Sequence, residues 1–96
     1  IQVIRRYKPK IVLTNAPSDR HPDHGRAAAL VTEACFYSGL RMIETEDSGQ
    51  KQEAHRPANV FHFMQDRSLT PDFVVDITPY WAGKRAATAA FKSQFY

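Results

Sequence analysis

The segment that decides the fold runs from Ile11 to Gly39 and reads IVLTNAPSDRHPDHGRAAALVTEACFYSG. It begins with a short branched apolar run, Ile11 to Leu13, which is typical of a buried strand. A polar loop follows from Asn15 to about His21, and the remainder has the apolar spacing of an amphipathic helix. A strand that passes through a polar loop into a helix is the building unit of α/β proteins.

The predicted helix has signals at both of its ends. Pro22 is placed in the first turn, where its missing N–H costs nothing, and Gly39 stands where a C-terminal cap belongs. At helical spacing, one face is expected to pack against the sheet, and it comprises Ala27, Leu30, Val31, Ala34, Cys35 and Ser38.

On either side of this unit, further elements are predicted. Residues 1–7 have the pattern of the end of a helix, which Pro9 terminates, and residues 44–57 are a polar surface excursion outside any regular core. Two more strands are expected at Val60–Met64 and Phe73–Ile77. Thr78 then caps a last helix with proline at its first position and a narrow stripe of small residues, Ala82, Ala86, Ala89 and Ala90.

The order of elements predicts an α/β fold with a sheet that is at least partly parallel. The first strand has no partner before it, and the alanine stripe of the last helix needs a surface to pack on. We therefore expect the sheet to continue outside this sequence, which begins with Ile1 and not with methionine. The alternative is a self-sufficient α/β miniature.

The composition excludes several classes of protein. No apolar run approaches the roughly 20 residues that a membrane-spanning helix requires, so no membrane partner is predicted. Cys35 is the single cysteine, so neither an intrachain disulfide nor a thiolate zinc cluster can form, and a cytoplasmic location is expected. The net charge is +3, but the positive residues are scattered and no nucleic-acid partner is predicted. The one dense basic patch is interpreted as a solvated helix end: Arg5, Arg6, Lys8 and Lys10.

The residues that carry chemistry lie between the strand and the helix, in the sequence SDRHPDHG of residues 18–25. Ligands of open α/β sheets bind at the carboxyl ends of strands, beside helix N-termini that favour negative charge. His21 and His24 are three apart, so we expect one to bind a metal and the other to face the substrate. Asp23 is close enough to orient an imidazole. The alternative is that Asp19 or Asp23 only caps the helix and both histidines are solvated.

The remaining polar candidates are weaker. His55 lies in the polar excursion and is expected to be solvated, and His62 is expected on the surface or at a subunit contact. Asp66 and Arg67 are expected to form a local ion pair. From the residues alone, a hydrolase cannot be separated from a metal-dependent phosphoesterase.

Nearly the whole chain resembles the LmbE-like (PIG-L) zinc-dependent N-deacetylases. The later segments are most similar to the branch that acts on N-acetylglucosaminyl-malate in bacillithiol biosynthesis. The resemblance is carried by YKPKIV (residues 7–12), DRHPDH (19–24), SGLR (38–41), PDFVVDI (71–77) and KSQF (92–95).

This resemblance implies a Rossmann-like fold with a mostly parallel sheet flanked by helices, of which residues 1–96 would be the C-terminal portion. It also implies one catalytic Zn²⁺ held by two histidines and an aspartate, with His24 as the ligand from this chain. His21, with Asp23 as its partner, would stabilise the oxyanion and handle protons. Arg20 would hold the substrate or the developing charge, and Arg56 aligns with an arginine of the same pocket.

The chain departs from the family in two respects, of which the smaller is that it ends at Tyr96, before the family's C-terminal segment. It contains no Ala-His-Pro-Asp-Asp motif, which supplies the other two zinc ligands and the carboxylate base, so we expect this fragment to be inactive by itself. The expected function therefore concerns the parent protein: hydrolysis of the N-acetyl group of an N-acetylglucosamine conjugate. A homo-oligomer, such as a hexamer, is also expected. The alternatives are a non-catalytic α/β module that binds an anionic partner, or another metal-dependent hydrolase such as a phosphoesterase.

Overall fold

A computed structural model describes residues 1–95 of the chain as an α/β arrangement of helices and short strands. None of the helices in this range has both the length and the apolar character needed to cross a membrane. In chain order the elements are α1 (Gln2–Tyr7), β1 (Ile11–Thr14), α2 (Pro22–Tyr37), β2 (Glu46–Asp47), β3 (Gln50–Lys51), β4 (Asn59–His62), a 3₁₀ turn (Thr78–Tyr80) and α3 (Trp81–Ala89).

Strands β1 and β4 form a parallel pair, in a register that places Ile11 beside Asn59 and Thr14 beside His62. The backbone pairing continues past the strands, because Phe63 N donates to Thr14 O at 3.0 Å. Parallel strands need a long crossover connection, and here α2 lies within it. The predicted α/β class with parallel strands is confirmed.

The buried face of α2 agrees with the predicted one at Cys35 and Ser38 but includes Ala28 and excludes Leu30. Ala28 and Cys35 are 2% and 3% exposed and Ser38 is fully buried, whereas Leu30 is 68% exposed. At 3.6 residues per turn, Leu30 lies about 140–160° around the helix from Ala28 and Cys35. The helix therefore presents small side chains to the sheet, and the prediction for Leu30 was wrong.

The excursion contains regular structure that the sequence analysis did not predict. Strands β2 and β3 pair antiparallel through a two-residue turn in which Ser48 and Gly49 have φ of 53° and 78°. Positive φ at both turn residues is the geometry of a type I′ hairpin. This hairpin contacts α1, where Arg6 Nε lies 2.7 Å from Asp47 Oδ2.

Arg5 is buried, contrary to the prediction of a solvated basic patch. It is 3% exposed, and its guanidinium donates to backbone carbonyls and a hydroxyl of the segment that follows α2. The other three members of the patch are exposed. Charge spacing could not separate Arg5 from them, because its partners are carbonyl groups that carry no signature in the sequence.

The C-terminal third differs most from the prediction. Residues 73–77 form no strand, and Val74 and Val75 are 82% and 71% exposed. A strand needs a neighbour for its backbone groups, and no other described segment pairs with this one. The predicted cap was also misplaced, because Asp76 Oδ1 accepts the Thr78 N–H at 2.9 Å and the Thr78 hydroxyl at 2.6 Å.

The sheet is covered on one side only. Val12 and Thr14 lie on the more buried face of β1, whereas Ile11 and Leu13 on the other face are 55% and 68% exposed. Helix α3 has no buried residue, and its Trp81 is 53% exposed. The prediction that β1 is a fully buried strand is therefore met for one of its two faces within residues 1–95.

Candidate functional site

The predicted cluster forms where the chain passes from β1 into α2, at the carboxyl end of the parallel pair. His21 is the N-cap of α2, with extended backbone angles (φ −87°, ψ 125°), and Pro22 begins the helix as expected. The preceding loop crosses the first turn closely, since a Cβ added at Gly25 would lie 3.1 Å from Pro17 O. The loop and the helix N-terminus are thus packed into one unit.

The capping role of His21 fixes the use of its ring nitrogens. Its Nδ1 accepts the backbone N–H of Asp23 at 3.2 Å. A nitrogen that accepts carries no proton, so in the neutral ring the proton is on Nε2. The His21 side chain is 55% exposed. It therefore presents an N–H donor to a ligand at the helix N-terminus.

The ring nitrogens of His24 have the opposite roles to those of His21. Its Nδ1 is hydrogen-bonded to Asp19 Oδ2, and because a carboxylate can only accept, Nδ1 carries the proton. The Nε2 of a neutral His24 ring is then left with a free lone pair. The two rings lie side by side with centroids 5.2 Å apart and planes inclined by 28°. One histidine thus offers a donor and its neighbour an acceptor.

Asp19 is the residue of this site that the sequence analysis did not assign to it. Its side chain is 1% exposed, and its Oδ1 also accepts the Arg20 N–H at 2.8 Å. The hydrogen bond from His24, together with backbone hydrogen bonds from Arg20 and Asp66, holds the pKa of Asp19 below its usual range. The carboxylate is therefore ionised and is held by the loop after β1 and by the first turn of α2.

Asp23, predicted to orient His21, makes that contact mainly through its backbone. Its carboxylate oxygen Oδ2 lies 4.0 Å from His21 Nδ1, whereas Oδ1 accepts from Arg26 at 3.1 Å. Both ion-pair partners are largely exposed. The structure thus brings Asp23 beside His21, but its closest polar side-chain contact is with Arg26.

Arg20 lies at the cluster and is mostly free to reach a ligand. Its side chain is 79% exposed, and its Nε lies 3.6 Å from Asp66 Oδ1. Arg67 donates to Ser18 Oγ at 3.0 Å. The predicted local pair of Asp66 with Arg67 was therefore wrong, because each side chain reaches across to the loop after β1.

Arg56 is not brought to the cluster. Its guanidinium donates to Phe36 O at 2.9 and 3.2 Å and lies 4.4 Å above the Phe36 ring. Phe36 is at the far end of α2, about 18 Å along the axis from His24 at 1.5 Å per residue. Within this chain, Arg56 caps the C-terminal end of the helix instead of lining the pocket at its N-terminus.

The two other histidines are fixed by backbone carbonyls. His55 Nε2 lies 2.7 Å from Pro9 O, so the prediction of a solvated His55 was wrong. His62 Nδ1 lies 2.7 Å from Asn15 O and its side chain is exposed. Neither ring belongs to the cluster at the start of α2.

The cluster fits one position of a metal site. Among residues 1–95 no three His, Cys, Asp or Glu side chains come together to hold a metal ion. A zinc site needs at least three protein ligands, and a neutral imidazole backed by a carboxylate is a common one. His24 with Asp19 meets that description, whereas His21 uses Nδ1 for the helix cap.

No family model matches this chain. Among solved structures, it is similar to the conserved protein TT1542 from Thermus thermophilus, with 32% sequence identity and a TM-score of 0.84. The similarity covers 96% of this chain and 40% of TT1542. The chain thus spans well under half of the protein that it matches, and the shared part includes nearly all of its own residues.

Proposed function

We propose that this chain is the C-terminal portion of an LmbE-like, zinc-dependent N-deacetylase with a Rossmann-like, mostly parallel sheet. The parent protein would remove the acetyl group from an N-acetylglucosamine conjugate, with N-acetylglucosaminyl-malate as the first candidate. The observation that carries the proposal is the opposite use of the two ring nitrogens. His24 keeps Nε2 free to bind a metal, and His21 keeps an Nε2–H to donate.

The metal would be held only in part by this chain. His24 would supply one ligand, and the remaining ligands would have to come from outside residues 1–96; the similarity covers only 40% of TT1542. Zinc supplies such a site with a Lewis acid and with a water of lowered pKa. The carboxylate that accepts the proton from that water is likewise absent from the described cluster, in which Asp19 is already committed to His24.

His21 would stabilise the charge that develops during amide hydrolysis. When water attacks the acetamide carbonyl, negative charge forms on its oxygen, and the His21 Nε2–H is a donor for that oxyanion. The N-terminus of α2 adds backbone N–H groups and the positive end of the helix dipole. Loss of one such donor typically costs about 10²–10³ in rate. To deliver a proton to the departing amine as well, His21 would have to be an imidazolium, with Nδ1 protonated and the hydrogen bond from the Asp23 N–H given up.

Arg20 would bind the substrate beside these two histidines. Its guanidinium is exposed, and its one ionic contact, with Asp66, is at 3.6 Å. Such a weak surface pair is exchanged for a ligand carboxylate or hydroxyl at little cost. Arg56 can serve a site only if that site approaches the other end of α2, for example in another subunit of an oligomer.

The exposed apolar surface supports a larger parent. Ile11 and Leu13 on one face of β1, and Trp81 on α3, are all more than half exposed. Large apolar side chains left exposed on a sheet face and on a helix are normally covered in a stable protein. Additional strands and helices of the same domain, or subunit contacts of a homo-oligomer, would cover it.

The test uses the full-length protein that contains this chain, reconstituted with zinc. We expect N-acetylglucosaminyl-malate to yield equal amounts of acetate and primary amine, faster than N-acetylglucosamine does, and activity to vanish when a chelator removes the metal. Phosphate release from phosphate esters, with no amine formed, would identify a phosphoesterase and refute the proposal. A full-length sequence without a His-Pro-Asp-Asp motif upstream would instead favour a binding module.

A further inference from the structure

The most deeply buried acidic group at the cluster is Asp19, although its neighbours Ser18 and Arg20 are exposed. Its side chain is 1% exposed, whereas that of Asp23, four residues later, is 71% exposed. Withdrawing a carboxylate from water is costly unless its oxygens are fully hydrogen-bonded. Burial of this one carboxylate against the ring of His24 therefore costs the folded protein some desolvation free energy.

Two groups hold the Asp19 carboxylate in place. Its Oδ1 accepts the backbone N–H of Arg20 at 2.8 Å, and its Oδ2 is bonded to His24 Nδ1. Asp19 thus has one donor from its own loop and one from helix α2, and rotation of the carboxylate breaks both hydrogen bonds.

The segment after β4 is itself fastened to the loop that carries Asp19. Arg67 donates to Ser18 Oγ at 3.0 Å, and Asn15 Nδ2 donates to Gln65 Oε1 at 2.9 Å. The ends of the two parallel strands are therefore tied together through two residues that precede Asp19 in the loop. This arrangement keeps the carboxylate at a fixed place relative to the first turn of α2.

We propose that Asp19 is the positioning residue for His24: it fixes the ring with Nδ1–H toward the carboxylate and Nε2 toward the metal. The part of the proposal that concerns the metal rests on the proposed function, whereas the part that concerns the orientation of the ring does not. A neutral imidazole in water favours the opposite tautomer, with the proton on Nε2, which blocks the nitrogen that a metal needs. The Asp19 carboxylate reverses that preference and also raises the basicity of the bound ring.

Asp23 is the natural comparison, because it adjoins His24 in the sequence and is the carboxylate of the His-Pro-Asp-His motif. Its oxygens contact Arg26 at 3.1 Å and approach His21 Nδ1 at 4.0 Å. No hydrogen bond joins it to His24 in the described residues. If sequence proximity decided the partner, Asp23 would orient His24; the geometry assigns that role to Asp19.

The first experiment reads the tautomer directly in the metal-free, full-length protein. Long-range ¹H–¹⁵N correlation spectra at alkaline pH, with ¹⁵N-labelled histidine, distinguish a protonated Nδ1 from a protonated Nε2. We expect His24 as the Nδ1–H tautomer in the wild type and in Asp23→Asn, and as the Nε2–H tautomer in Asp19→Ala. Retention of Nδ1–H in Asp19→Ala overturns the proposal. Asp19→Leu, which has a similar shape and no hydrogen-bond acceptor, replaces the alanine variant if that variant does not fold.

The second experiment measures zinc affinity by competition with a chelator. We expect the Kd for zinc to rise about 10–100-fold in Asp19→Ala, the usual effect of losing a partner of a ligating histidine, and to change less than about 3-fold in Asp23→Asn. Unchanged affinity in Asp19→Ala, with zinc lost in His24→Ala, refutes the role of Asp19 and leaves the proposed function standing. Wild-type affinity in His24→Ala refutes the proposed function itself, while the tautomer result still decides the orientation.

Discussion

Replacement of Arg5 by methionine should destabilise the protein by removing a hub of buried hydrogen bonds. The guanidinium donates to Ser38 O at 3.0 Å, Leu40 O at 2.8 Å, Ile43 O at 2.6 Å and Thr45 Oγ1 at 2.8 Å. Methionine keeps the unbranched stem and a high helix propensity. The perturbation is therefore confined to the four hydrogen bonds and the charge.

The magnitude follows from which acceptors keep another partner. Ser38 O still accepts from His55 N at 2.8 Å and Leu40 O from Ile43 N at 3.2 Å, while the Thr45 hydroxyl still donates to Gln52 Oε1 at 2.8 Å. These three lose about 0.5 kcal/mol each, whereas the Ile43 carbonyl, left without a protein donor, costs about 2 kcal/mol. Relief from burying a guanidinium offsets part of this loss. We expect about 3 kcal/mol in all.

The assay is urea unfolding of the full-length protein, followed by circular dichroism. With an m-value of about 3 kcal/mol per M, the midpoint should fall by about 1 M. The matched control is Arg6→Met, at the next position of the same helix, where an exposed pair with Asp47 is lost and the midpoint should move much less. Equal shifts for the two variants would refute the reasoning that burial of Arg5 sets its importance.

Two further predictions concern packing and pH. Gly39→Ala should cost about 1–3 kcal/mol of unfolding free energy, because the new Cβ would lie 2.8 Å from the Cβ of Arg56. The control is Gly83→Ala in α3, which has open space around it and should be neutral or stabilising. Thermal melts in which Gly83→Ala is the more destabilising of the two would contradict this prediction. The hydrogen bond from Arg6 lowers the pKa of Asp47 in the folded state. The pair therefore stabilises the folded protein above the pKa of an unfolded aspartate, and this stabilisation is lost as the pH falls through the lower pKa of the folded state. An NMR titration should show the Asp47 pKa rising to its ordinary value in Arg6→Gln; an unchanged pKa would exclude the pairing.

The parts of the fold that were predictable are those determined by local sequence. The β1–loop–α2 unit was predicted because branched residues, Pro22 and the apolar periodicity all act within one segment. The segment at Phe73–Ile77 has the composition of a strand but forms none here, since a strand also requires a pairing partner. Leu30 was misplaced because helical spacing defines a face only to within the rotation that tertiary packing selects.

The candidate site was predictable in its composition but not in its internal pairing. The motif located His21, His24 and Asp23 at the start of α2, where the structure places them. It could not identify Asp19 as the partner of His24, because that contact depends on the path of the loop across the first helical turn. The position of Arg56 was not predictable for a related reason: its place in the sequence carries no information about which end of α2 it reaches.

The division of roles between His21 and His24 is tested most directly by measuring zinc content and kcat together in the full-length His21→Ala and His24→Ala variants. His21→Ala should retain one zinc per chain and lose about 10²–10³ in kcat, as expected for an oxyanion donor. His24→Ala should lose both the zinc and the activity. Loss of zinc from His21→Ala, or full zinc binding by His24→Ala, would contradict the assignment of these two histidines.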